Sequence, residues 1–324
     1  MNIGRLTLSS LALLAGVALQ TGLAWAQAWP ARTIKLIVGF GAGGANDLQA
    51  RIVADALTRS LGQAVIVENR AGAGGNVAAQ AAIQSAPDGY TLLMAPTTTM
   101  LIVPAVDPKI TYDPVENFTH IIQLSSFPLY LSVKGSNPAR TVKDLVDFAK
   151  ANPDKANYGS TATTFQLVSE LFNTHSGSKY VRVPYKSGQE MTAALLAGQI
   201  TLIFNEPAAM MGFIADGSIR IIGMTGRQRS PDFPDIPTMA ELGYPGVQLE
   251  AVGAIVGPKG IPADIVTRLH HDIDAALKTP EVRKRFHALG VTPAGGPVAP
   301  FSANLSSEIK RIRDFAKEAN IKLD

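Results

Sequence analysis

Six consecutive residues, Gly39-Phe40-Gly41-Ala42-Gly43-Gly44, carry the clearest chemical signal in this sequence. They follow a β-branched apolar run at 34–38. They precede a helical pattern with Leu48, Ile52, Val53, Ala56 and Leu57 on one face. A strand that turns through glycines into a helix points free backbone N–H groups outward, and the helix dipole adds positive potential in front of them. The chemistry is anion binding by main chain. Gly39, Gly41 and Gly44 also satisfy G-x-G-x-x-G, and Glu68 follows a second apolar strand at 64–67, where a dinucleotide site would use it on a ribose hydroxyl. Two readings therefore stand at this point: an NAD-linked oxidoreductase, and a receptor for some other anion.

Two hydroxyl-rich segments occupy comparable places. Thr97-Thr98-Thr99 follows an apolar strand at 90–95, and Ser160-Thr161-Ala162-Thr163-Thr164 follows a short strand at 156–160 and leads into a helix near Phe165. Neither 39–47 nor 160–166 contains Lys or Arg, although Arg70 and Lys186 stand near enough in sequence for the rim. An anion held there rests on amides and hydroxyls, which suits a small carboxylate better than a polyphosphate with its usual basic partner. Asp47 falls in the first helical turn, where a carboxylate is stabilising by about 0.3–1 kcal/mol. It is equally suited to orienting a water or accepting a bond from a ligand hydroxyl. The second glycine turn, 70–76, reads as a tight turn closed by Asn76 as a helix N-cap.

Catalytic signals are weak. The five histidines, at 120, 175, 270, 271 and 287, have no H-x-x-x-H or H-E-x-x-H spacing, and there is no cysteine, so no metal is expected. No G-x-S-x-G elbow is present. No catalytic residue and no cofactor is expected.

The chain has 324 residues, 46% hydrophobic and 17% charged, with a net charge of +3. That is enough chain for two lobes, and the mild, scattered charge argues against a nucleic-acid surface. Arg5, the apolar stretch 11–19 and Ala24-Trp25-Ala26 read as an export signal over residues 1–26. The mature chain is then expected free in the periplasm, a monomer, without disulfides or a lipidated cysteine. Free dinucleotide is not expected there.

Strands alternate with helices throughout, the pattern of α/β architecture with doubly wound sheets. Further strands are expected at 118–124, 129–133, 180–185, 200–204 and 219–225, with a crossing between lobes near 125–128. Thr141 with Asp144, and Ser187 with Glu190, are capping boxes that start helices at 142–151 and 191–197. Residues 104–114 read as irregular. Residues 262–278 form an amphipathic helix with Ile265, Leu269, Ile273 and Leu277 on one face, and Thr279-Pro280 starts another that stops at Gly290. A last helix covers 299–320. Ligands bind such sheets at the carboxyl edge of their strands, and two edges facing each other make a cleft.

In order and spacing, WPARTIKLIVGFGAGGANDLQAR, LGQAVIVENRAGAGGN, APDGYTLLM, YDPVENF, VKDLVDFAKANP, NYGSTATTFQLVSELF, VPYKSGQEMTAALLAGQI and RSPDFPDIPTMAELG resemble the periplasmic substrate-binding proteins of tripartite tricarboxylate transporters, the Bug or TctC-like receptors. The resemblance covers essentially the whole mature chain. It implies two lobes, 27–126 plus 248–324 and 127–247, joined by crossing strands and closing like a flytrap on a citrate-type, dicarboxylate, acidic amino acid or aromatic acid ligand. It implies delivery to membrane permease subunits and no enzymatic activity; a closed form that signals to a sensor would look the same. Carried over, one ligand carboxylate lies between Phe40, Gly41, Ala42, Gly43, Gly44, Ala45, Asn46 and Asp47 on one side and Ser160, Thr161, Ala162, Thr163, Thr164, Phe165 and Gln166 on the other. Thr97, Thr98, Tyr185 to Gly188 and Asn205 line the remainder. This chain departs from the family pattern in three places: the first loop lacks the usual prolines, Asn205-Glu206-Pro207 stands where Asp is common, and Gln166 stands where His is common. Phe40 and Phe165 offer an apolar wall that would suit an aromatic or apolar-bodied acid.

Overall fold

A computed structural model describes residues 29–161, 163–206, 210–297 and 299–318. The export signal expected at 1–26, Ala162 and Pro207 lie outside these residues. The first sheet takes its strands from both ends of the chain: β1 (Ile34–Val38), β2 (Val65–Asn69), β3 (Thr91–Pro96), β4 (Phe118–Pro128), then, after the second sheet, β10 (Glu250–Pro258) and β11 (Thr292–Pro293), in the order β11-β4-β10-β3-β1-β2. The second sheet comprises β5 (Tyr130–Lys134), β6 (Asn157–Ser160), β7 (Val181–Pro184), β8 (Leu202–Asn205) and β9 (Ile219–Met224), in the order β7-β6-β8-β5-β9.

β1 pairs in parallel with both β2 and β3, and Ile34, Leu36, Ile37 and Val38 are buried. A strand covered on both faces reads as a continuous apolar run, as this one does. The helices α1 (Ala45–Leu61) and α2 (Asn76–Ile83) make the crossovers. In the second lobe, α3 (Val142–Ala151), α4 (Thr163–Ser176) and α5 (Gly188–Ala197) follow β5, β6 and β7. The helices α6 (Ala263–Lys278), α7 (Pro280–Ala288) and α8 (Ala299–Glu318) return to the first lobe, α6 burying Ile265, Leu269, Ile273 and Leu277. No described helix is long and apolar enough to cross a membrane.

The caps explain several boundaries. Thr141 Oγ1 accepts from Asp144 N while Asp144 accepts from Thr141 N, and Thr279 accepts from Val282 N. Ser187 Oγ likewise accepts from Glu190 N at 3.2 Å. The reciprocal bond of that box differs: Glu190 accepts from Lys186 N, one residue earlier than a regular box requires. Asn76 is a correction. A single 3₁₀ turn, Ala73–Gly75, runs straight into α2, so Gly75 holds the N-cap position and Asn76 is already helical at φ −59°. Its side chain caps nothing.

Two further differences arise from pairing. β4 does not stop at Leu124 but runs unbroken to Pro128, because Ser125 to Pro128 pair with Gly253 to Glu250. The chain therefore crosses between lobes at Leu129, which is buried. AVGAIVG, to which the sequence pattern assigns no strand, is β10, lying between β3 and β4 and antiparallel to both. Of residues 104–114, expected to be irregular, 104–106 belong to a helical turn at Val103–Val106, which follows a π-type turn at Thr98–Ile102.

Candidate functional site

The carboxyl ends of β1, β3, β6 and β8 face one another across a cleft of about 720 Å³. From the first lobe it is lined by Phe40, Gly41, Ala42, Gly43, Gly44, Ala45, Asn46, Thr97 and Thr98. From the second it is lined by Thr161, Thr164, Phe165, Asn205 and the segment Lys186 to Gln189. The crossing strands contribute Phe127, Ala251 and Val252. Leu48, Gln49, Pro96, Glu206 and Leu289 also line the cleft and were not anticipated from the sequence.

The glycine loop is shaped from behind. A Cβ on Gly39 would lie 2.7 Å from Gly75 Cα, so the two glycine turns pack backbone against backbone, and the second turn supports the first. Gly44, at the N-cap of α1, supplies no side chain, and no side-chain bond closes that helix end. The first-turn N–H groups of α1 thus have no intrahelical acceptor, and Ala45 and Asn46 of that turn line the cleft.

Asp47 lies behind this loop. It is 1% exposed, and both of its oxygens are occupied: Oδ2 accepts from Gly43 N at 2.8 Å and Arg51 Nε at 2.9 Å, Oδ1 from Asn69 Nδ2 at 2.9 Å and Arg51 Nη2 at 3.0 Å. Burial opposes its ionisation, but the bonds from Arg51, Gly43 and Asn69 outweigh this and hold the carboxyl below the usual range. Asn69 also donates to Phe40 O at 3.1 Å. The brace Asp47–Arg51–Asn69 escaped the sequence reading, although the i, i+4 spacing of Asp47 and Arg51 on α1 was a signal for half of it.

Other side chains face elsewhere. Ser160 is fully buried, its Oγ accepting from Arg182 Nε at 2.8 Å. Gln166 is buried, Thr163 is half-buried, and neither lines the cleft. Tyr185 packs beside Met191, and burial pushes its phenol pKa up. Arg70 turns away from the rim onto Glu68, at 2.6 Å, with Lys35 3.6 Å from the same carboxylate. Phe40 and Phe165 do both things their rings allow: each packs against the main core and each also lines the cleft.

The hydroxyls are divided between the two lobes. Thr97 Oγ1 accepts from Val252 N at 2.6 Å, fastening β3 to the crossing strand β10. Thr98 Oγ1 lies 2.9 Å from Thr164 Oγ1, a hydrogen bond that spans the cleft from lobe to lobe. Valine at either position removes that bond and leaves the partner hydroxyl without it, at a cost of about 1 kcal/mol. The double replacement should cost no more than either single one, and a double-mutant cycle of urea unfolding that gives additive losses would dismiss the latch.

At the far end of the cleft, Asn205 is 4% exposed and its Nδ2 has no hydrogen-bond partner among the described residues. Glu206 is half-buried beside it, and burial pushes its carboxyl up to about 7. Lys186 and Glu206 are the charged side chains on the cleft wall. Among the described residues no cluster of His, Asp or Glu could hold a metal ion. The arrangement brings the amides of the glycine loop and hydroxyls from both lobes to one cleft.

Comparisons with known proteins agree with this fold. Residues 49–321 match the sequence profile of the tripartite tricarboxylate transporter family receptor. The chain is 34% identical to Protein BugT of Bordetella pertussis over 301 residues, 92% of each chain. Its structure is similar to that of an R. palustris protein solved with adipate, with a TM-score of 0.80, 32% identity and coverage of 90% of this chain and 99% of that one. It is also similar to MatC of Rhodopseudomonas palustris with bound malate, at a TM-score of 0.77, 28% identity and coverage of 89% and 99%.

Proposed function

This chain belongs to the tripartite tricarboxylate transporter receptor family, and on that premise we propose that it captures a small organic carboxylate between its lobes and hands it to the membrane permease subunits of such a transporter. It is a carboxylate-binding receptor of the Bug or TctC-like type. Two structural relatives were solved with adipate and with malate, both dicarboxylates. The observation that carries the reading is the uncapped N-terminus of α1 lining the same cleft as Thr161 and Thr164 of the other lobe. One ligand carboxylate sits there, held by amides and hydroxyls, while Asp47 holds the loop in shape and Phe40 and Phe165 flank the ligand's body.

The receptor works by closure. Contacts from the second lobe are available to the ligand only when both lobes meet it, so binding favours the shut form by the difference in affinity between the two forms. The lobes exchange where β4 ends at Pro128 and where β10 begins at Glu250, a few residues from the boundaries 126/127 and 247/248 expected from the sequence. The leader is removed near Ala26, the receptor acts as a monomer in the periplasm, and no bond is made or broken in the cleft. The dinucleotide reading loses its acid, because Glu68 is tied to Arg70 and Lys35 and does not line the cleft.

A thermal-shift screen of the mature chain tests this. At a concentration near 100 times Kd, a ligand adds about 2.7 kcal/mol, a rise of several degrees in Tm. Adipate, malate or another carboxylic acid should give that rise and NAD none. Stabilisation by NAD alone would overturn the reading.

A further inference from the structure

Opposite the glycine loop, β8 ends on two neighbouring side chains with unmet chemistry. Asn205 is buried with Nδ2 unpaired among the described residues, whereas buried amide donors are almost always bonded. Glu206 lines the same cleft, and burial is the one influence that acts on its carboxyl. Of the charged groups around it, Lys186 shares the cleft wall, and the others are paired or distant in the sheet order. Glu190 of α5 accepts from Lys186 N. Arg182 lies on β7, beyond β6, bonded to Ser160. On the facing lobe, Arg51 and Asp47 bind each other.

An unpaired amide donor requires an acceptor oxygen, and the far carboxylate of a dicarboxylate provides one. An ionised Glu206 beside that carboxylate would be a like charge in a poorly solvated place, which disfavours both anions. A protonated Glu206 instead donates a second hydrogen bond to the same group. We propose that Asn205 and neutral Glu206 together hold the distal carboxylate of a dicarboxylate ligand, so that capture of the dianion takes up one proton at Glu206. The inference rests on the receptor reading and adds to it a proton-linked choice of ligand. It makes Glu206 a specificity-determining residue: two neutral donors at this end mirror the amides at the other, and the cleft gains no cation.

The proton balance is simple. Glu206 binds one proton from solvent as the ligand enters and releases it as the ligand leaves. Burial has already raised its carboxyl to about 7, and a second anion alongside moves it further the same way. Affinity is therefore complete below the free-state value of about 7 and declines above it, by up to about tenfold per pH unit until Glu206 ionises in the complex as well.

Isothermal titration of the mature chain with adipate and with malate tests this between about pH 6.5 and 8.5, where both acids are dianions. Running each titration in buffers of different ionisation enthalpy counts the protons. Wild type should bind roughly tenfold or more weakly at the alkaline end and take up close to one proton there. Glu206→Gln, which copies the neutral side chain, should keep the neutral-pH affinity and lose both the slope and the uptake. A flat wild-type profile without uptake, or a slope that persists in Glu206→Gln, overturns the proposal. Binding of monocarboxylates but no dicarboxylate also overturns it while the receptor reading stands. Failure of every acid at every pH defeats the receptor reading itself.

Discussion

Replacing Gly43 by Asp lowers carboxylate affinity at least 100-fold and leaves the fold in place. Gly43 has φ +79°, and a Cβ there meets nothing within 4 Å, so the new side chain extends into the open cleft. Asp is among the residues that best tolerate this backbone region, and the conformational cost is about 1 kcal/mol. The binding cost is larger. Two like charges about 4 Å apart at an effective dielectric of 20 repel by about 4 kcal/mol, close to a thousandfold in affinity. Gly43→Asn carries the same backbone load without the charge and should bind within roughly tenfold of wild type. Calorimetric titration compares the two, with thermal unfolding to check the fold. Equal affinity in Gly43→Asp and wild type would remove this loop from the site.

The second large effect concerns stability. Asp47→Ala withdraws the acceptor from Gly43 N, Asn69 Nδ2 and the Arg51 guanidinium at once. Truncating one partner of a buried pair costs about 3–5 kcal/mol. Arg51 is 47% exposed and can rehydrate, which places this change near the lower end, at roughly 3 kcal/mol. Urea unfolding should report that loss, and one below about 1 kcal/mol would show that the brace is dispensable. The same group sets an acid limit. Its folded-state pKa is depressed, so its contribution is complete above the unfolded value of about 3.9 and disappears as pH falls through the lower folded value. Wild type and Asp47→Asn should therefore begin to draw together in stability as pH falls below about 4 and meet only beneath the lower folded-state value.

What the sequence made legible was mostly local. The β1 run, the glycine loop, the Thr141, Ser187 and Thr279 caps and the α6 stripe each rest on a period or a residue type that acts within a few positions. What it concealed depends on residues far apart in the chain. AVGAIVG has the small residues that weaken a strand on its own, and it becomes β10 because β3 and β4 leave a gap of one strand between them. Asp47 looked equally suited to ligand and to helix, and Asn69, 22 residues on, decided how its oxygens are used. Glu206 stood out in the sequence only as part of a departure from the family pattern. Its character comes from burial at the end of β8, which no spacing in the sequence encodes.

The place of β10 also dictates when the molecule can be built. In the first sheet β10 alone joins β4 to β3, and it begins at Glu250. A nascent chain that has emerged only as far as the second lobe holds β1, β2 and β3 as one piece and β4 as another, with nothing between them. The anion loop is synthesised near the beginning, yet the sheet that carries it closes only after more than 200 further residues have followed. Such late, long-range closure is intrinsically slow, and the inserted lobe, whose five strands all come from one continuous segment, is positioned to fold first.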